Sequence, residues 1–140
     1  MTEDDVSQTE VVVASAEDEA QKVLNELCTN VSKVEAALVA TAEGLPIAAE
    51  LPSDVDDLLI GAMTAAVLSA SGRASEELQK GKLDTITIQS EEGMILMKGL
   101  ENGVLTVLAK ADVNIGLALL YMEKACELLS AIISTSWIVD

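Results

Sequence analysis

The chain has 140 residues, with 24 Asp+Glu against 8 Lys+Arg, no His and a formal net charge of −16. Half of it is hydrophobic although it holds one Trp, one Tyr and no Phe, so it has the aliphatic surface to offset the chain entropy of a single folded domain. The lack of His excludes serine-type triads, histidine general bases and zincin sites, and so acidic a surface disfavours phosphate backbones and anionic lipid as partners.

The opening MTEDDVSQTE carries Glu3, Asp4, Asp5 and Glu10 without a cation, and residues 1–14 are predicted to be an acidic flexible tail. No basic start leads into an apolar run, so no secretion signal is expected. Ser15 reads as an N-cap with Asp18 at the capping-box position. Val23, Leu24, Leu27, Cys28 and Val31 recur at helical spacing and predict a first helix from Ala16 to Asn30. Val34 to Thr41 (VEAALVAT) is apolar on both faces, as in a covered inner strand. The EGLP segment, Glu43 to Pro46, is a turn into a short second strand, Ile47 to Glu50.

Ser53 or Asp54 offers an N-cap for a long helix reaching Gln79, with Gly81 as its stop. The longest uncharged stretch, Leu58 to Gly72, lies inside that helix and is too short to span a bilayer. Three strands follow at hairpin spacing: Asp84 to Ser90, Met94 to Gly99 and Val104 to Lys110, turned by Glu91-Glu92-Gly93 and by Asn102-Gly103. A last helix spans Asn114 to Ser134. The domain is therefore placed at residues 15–134, with a C-terminal tail over 135–140 whose Trp137-Ile138-Val139 folds back onto it.

The order α-β-β-α-β-β-β-α predicts an α+β domain: one five-stranded antiparallel sheet between helices on both faces. Strand 84–90 alternates, lacks Pro and inward charge and ends the meander, so it reads as an unprotected edge that invites pairing with another copy. On the long helix, Ile60, Met63, Val67, Ala74 and Leu78 form the expected sheet-facing stripe. The opposite side holds Leu58, Ala62, Ala65, Ser69 and Gly72, almost without charge until Arg73 and Glu76. Small residues there let a second helix approach closely. The candidate interface is thus Leu58, Ala62, Ala65, Ser69, Gly72, Arg73 and Glu76 with Thr85, Ile86, Thr87, Ile88 and Gln89, and it points to a symmetric dimer.

Other chemistry is thinly represented. Cys28 and Cys126 lie on apolar helix stripes without a CxxC pair and read as buried free thiols. Asp54, Asp56 and Asp57 lack the Gly and closing Glu of a calcium loop, and capping explains them. No Walker A motif is present. No metal, cofactor or catalytic residue is expected, nor a nucleic-acid partner or membrane insertion, and the location read from these features is cytoplasmic.

Three segments resemble the Roadblock family, the dynein light chain and GTPase-regulator superfamily: VEAALVATAEGLPIAAE (Val34 to Glu50), GAMTAAVLSASGRASEEL (Gly61 to Leu78) and the meander from Asp84 to Leu117. The resemblance covers Ala16 to Ile133. It implies a profilin-like sheet with the central helix on one face and the first and last helices on the other. It also implies homo- or heterodimers formed through the central helix and the strand after it. The role it implies is non-enzymatic: a platform for a Ras-like small GTPase or, alternatively, an adaptor in a motor or trafficking complex. The compact acidic chain is most similar to stand-alone prokaryotic, archaeal members. Arg73, the single Arg, would lie on the helix presented to a GTPase, but its acidic neighbours make it a paired surface cation rather than an arginine finger.

Overall fold

The computed structural model describes the backbone of residues 3–137 and the side chains of residues 16–134. The elements run α1 (Glu3–Asn30), β1 (Val34–Thr41), β2 (Pro46–Glu50), α2 (Asp57–Glu77), β3 (Thr85–Ser90), β4 (Gly93–Leu100), β5 (Gly103–Ala109) and α3 (Ile115–Trp137), which is the order expected from the sequence. The strands form one antiparallel sheet in the order β2-β1-β5-β4-β3. β5 is central and β3 closes one edge, as its alternating pattern predicts.

The two sides of the sheet are unequal. On one, α1 and α3 bury Leu24, Leu27, Met122 and Leu129 against Val39, Leu96, Leu105 and Val107, all essentially inaccessible. On the other, under α2, Ala40, Met97 and Val104 form a small buried cluster with Val67, Leu68, Ile86, Ile88 and Ile95 half-buried around them, and Leu38 and Ala36 of β1 are buried on the same face. This explains the double-sided apolar pattern of β1 and β5: both strands have cover above and below.

Three local expectations change. First, α1 begins at Glu3, so Ser15 and Asp18 lie inside the helix rather than at its cap. Residues 3–15 hold no Gly or Pro to stop it, and the segment read as a flexible tail is helical from Glu3 onward. The side chains of that segment, and the proposed fold-back of Trp137-Ile138-Val139, lie outside the described residues. Second, the β4–β5 turn is Glu101-Asn102, one residue earlier than the Asn102-Gly103 expected, with Leu100 opposite Gly103. Gly103 is needed inside β5 because a Cβ there would collide with the Ala40 carbonyl. Third, α2 starts later than Ser53 or Asp54, at a cap described below.

Cys126 is buried in the α1–α3 layer, as expected, while Cys28 is only half-buried against it. Burial pushes Cys126 up to about 12, against a partial offset from Lys98, and Cys28 up to about 11. Both stay neutral thiols at physiological pH. In Ellman's titration at pH 8 each is expected to react at least about tenfold more slowly in the native protein than in urea. Comparable rates in the two states would show that the layer is open. The sign for stability follows: neutral folded thiols stabilise fully below the unfolded pKa, and that contribution is lost as pH rises beyond it.

Candidate functional site

The site is built from α2 and the edge strand it leads into. Asp56 caps α2 with extended backbone (φ −82°, ψ 108°), its Oδ1 accepting from Leu58 N at 3.1 Å and Leu59 N at 3.5 Å. Asp57 adds negative charge at the positive helix end. Capping thus accounts for this part of the Asp54, Asp56, Asp57 group, and no three His, Cys, Asp or Glu residues among those described could hold a metal ion together. At the other end Gln79 (φ 61°) and Gly81 (φ 85°) reverse the chain. Lys80 N donates to Ser75 O at 2.8 Å and Ser75 Oγ to Gly81 O at 2.8 Å. The reversal delivers the chain directly into β3.

The rotation of α2 differs from the one its apolar periodicity predicts. Gly61 and Thr64 are the buried residues of the helix, flanked by half-buried Ile60, Ala65, Val67, Leu68, Ser71, Gly72 and Ser75. Of the expected sheet-facing stripe, Ile60 and Val67 face inward, while Met63, Ala74 and Leu78 are exposed. Of the expected outer residues, Leu58, Ala62, Ser69, Arg73 and Glu76 are exposed, whereas Ala65 and Gly72 turn partly inward. The helix is rolled by about a quarter turn relative to the expectation.

The cause is a close backbone approach between α2 and the β1–β2 turn. A Cβ on Gly61 would collide with the Gly44 carbonyl, and one on Gly44 would lie 2.9 Å from the Gly61 carbonyl. Gly44 also has φ 96°, which side chains avoid. Thr64 Oγ1 donates to Gly61 O at 3.1 Å, so its hydroxyl is satisfied on the buried side. Thr106, also buried on this side of the sheet, has no hydrogen-bond partner for Oγ1 among the described residues.

This rotation turns large apolar side chains outward. Leu58 is 61% exposed, Leu59 56%, Met63 55% and Leu78 71%, with Leu45 of the β1–β2 turn at 60%. Between them lie exposed Ala62, Ala66 and Ala70. By length and composition alone the whole of α2, 21 residues, is apolar enough to cross a membrane, although its uncharged stretch from Leu58 to Gly72 is shorter than a span. Packing on the sheet accounts for its inner side. The outer side is an apolar surface left exposed among the described residues, on a chain of net charge −16.

β3 continues that surface. Ile86 and Ile88 are half-buried beneath α2 beside Val67 and Leu68, while Thr87 and Gln89 are exposed on the other side and Thr85 is half-buried. Its start is fastened to β4: Lys98, opposite Thr85, donates to Asp84 Oδ1 at 2.9 Å, and Thr85 Oγ1 donates to Asp84 Oδ2 at 2.8 Å. The Lys98 hydrogen bond chiefly lowers the Asp84 pKa and raises that of Lys98. Arg73 is exposed and reaches Glu77 at 3.9 Å, one helical turn away, the loose surface pairing expected of it. The sequence reading missed Leu59 and Met63. Their apolarity was visible, but which flank of α2 meets the sheet was not.

The sequence profile of the Roadblock/LC7 domain family matches residues 20–109. The protein MJ1340 of Methanocaldococcus jannaschii is 38% identical over 98 residues, covering 70% of this chain and 86% of that one. Among solved structures, a Roadblock/LC7 domain from Streptomyces avermitilis superposes with a TM-score of 0.77 at 14% identity, over 81% of this chain and 97% of that one. Myxococcus xanthus MglB superposes with a TM-score of 0.79 at 16% identity, over 86% and 91%.

Proposed function

The chain belongs to the Roadblock/LC7 domain family, and on that footing we propose that it acts in the cytoplasm as a homodimeric regulator or scaffold for a Ras-like small GTPase. The observation that carries this reading is the outer side of α2: Leu58, Leu59 and Met63 exposed in a helix that has no charge from Leu58 to Gly72. Solvated helix faces in so acidic a chain carry charge, and a bare one is suited to association. Paired α2 helices would form the platform, and the GTPase would supply the nucleotide chemistry.

The test is sedimentation of the protein alone, followed by GTP hydrolysis and nucleotide exchange by the small GTPase encoded nearest to it, with and without the protein. A dimer of twice 14.6 kDa that changes either rate is expected. A monomer refutes the platform, and binding with both rates unchanged favours an adaptor subunit. In the same assay Arg73→Ala is expected to alter stimulation by less than about threefold, because its guanidinium is spent on a solvated pair with Glu77. A loss in the range of about 10³ would identify an arginine finger instead.

A further inference from the structure

We propose that the end of the sheet which α2 leaves uncovered is a docking groove for a short segment of another protein, one that carries an arginine between apolar residues. Leu108 stands on β5, the central strand, with Ile95 opposite it on β4, yet both are only half-buried. They share the α2 side of the sheet with Ala36, which Leu108 opposes on β1. α2 itself packs over Ala40, Met97 and Val104, toward the other end of these strands. The connection from β2 to α2 borders the uncovered end with Pro52 and Val55. The result is a groove of about 320 Å³, floored by Ala36, Ile95 and Leu108 and walled on one side by Ser90 and Glu92 of the β3–β4 turn.

The carboxylates around it determine what fits. Glu35 and Glu92 both line the groove and both are exposed. Glu35 is there because β1 is irregular at that point: Val34 pairs with Ala109 and Ala36 with Leu108, so Glu35 has no residue opposite it. A bulge of this kind re-aims a side chain, and here it sets Glu35 over the same groove as its neighbour Ala36. No Lys or Arg lines the groove, and no ion pair among the described residues engages either carboxylate.

Two unpaired carboxylates beside an aliphatic floor disfavour an acidic or a wholly apolar occupant. They suit a side chain with an apolar stem and a cationic head, and arginine has both. Its stem can lie along Ile95 and Leu108 while its planar fork, with five N–H donors, serves the carboxylates and the Ser90 hydroxyl. The volume is near the lower limit of ligand pockets, about 300 Å³, which is room for one long side chain and its apolar neighbours. None of the lining residues belongs to α2, so occupancy of the groove requires neither the dimer nor the GTPase.

The probe is the blocked peptide acetyl-Leu-Arg-Leu-amide, titrated at low salt into the full isotope-labelled chain and followed by amide chemical shifts. Its neutral twin carries citrulline in place of arginine. Saturable shifts are expected at Ala36, Val55, Ile95 and Leu108, with the citrulline peptide bound at least about threefold more weakly. Glu35→Gln with Glu92→Gln is expected to raise the dissociation constant about three- to tenfold. Glu101→Gln with Glu127→Gln removes the same charge from exposed positions that do not line the groove, and is expected to change it less than about twofold. No saturable shifts, shifts centred elsewhere, or equal binding of the two peptides would overturn the groove as a site for arginine. So would equal weakening in the two double variants, which would reduce the effect to net charge. Sedimentation of both variants separates the remaining occupant: a dimer weakened by Glu35→Gln with Glu92→Gln alone would assign the groove to a second copy of this chain and overturn the partner segment.

Discussion

Gly61→Ala is expected to lower the stability of the fold by about 2 kcal/mol, despite placing the best helix former in the middle of a helix. In an open helical position the same change gains up to about 1 kcal/mol, by restricting the unfolded chain and sparing backbone entropy. Gly61 is not open: the added Cβ meets the carbonyl of Gly44, a backbone atom that cannot rotate away. Either the β1–β2 turn moves or α2 lifts from the sheet, and both strain a close-packed contact. Gly72→Ala is the internal control, since a Cβ there meets nothing within 4 Å, and it is expected to be neutral or slightly stabilising. Thermal denaturation at one fixed protein concentration, chosen because association shifts apparent stability, would separate the two by roughly 6–10 °C. Equal melting temperatures would mean that the glycine contact does not set the position of α2.

The second large effect concerns association rather than folding. Met63→Glu is expected to weaken the dimer at least about a hundredfold. Met63 is 55% exposed in the protomer, so a charge there is solvated in the monomer and costs the fold little. In a dimer paired through α2 the same position loses roughly 1.5–3 kcal/mol of apolar burial per side, and the symmetry doubles it. Sedimentation equilibrium should show a monomer whose far-ultraviolet circular dichroism matches the wild type. A dimer of undiminished affinity would exclude the outer side of α2 from the interface. Ala65→Glu is a poorer probe, because Ala65 is half-buried toward the sheet and its substitution mixes folding with association.

Much of the architecture is legible in the sequence because each element carries a local signal. The VEAALVAT run, the EGLP turn and the alternation of Thr85 to Ser90 need no tertiary information. The β1–β2 hairpin and the β3-β4-β5 meander, with β3 at the edge, follow from short connections, whereas the β1–β5 pairing that joins them has no such local signal. What escapes is the roll of α2. Its inner side places Gly61, Thr64, Ser71 and Ser75 beside Ile60, Val67 and Leu68, and those four raise no apolar signal, while Met63 and Leu78 do so and face outward. The deciding fact is a contact between Gly44 and Gly61, residues that no periodicity connects. The length of α1 escapes for a different reason: Ser15 is a good cap, but a cap residue starts a helix only where the preceding turn is not already helical.

The unequal cover of the sheet has a consequence for how the protein yields to a partner. The α1–α3 side holds most of the buried apolar side chains, while the α2 side has a smaller buried core, Ala36, Leu38, Ala40, Met97 and Val104, and a buried hydroxyl, that of Thr106, without a partner among the described residues. Amide hydrogen exchange is therefore expected to be faster along α2 than along the buried parts of α1 and α3. One sheet thus serves two purposes: its far side holds most of the buried apolar side chains, and its near side carries a helix whose outer apolar residues stay exposed.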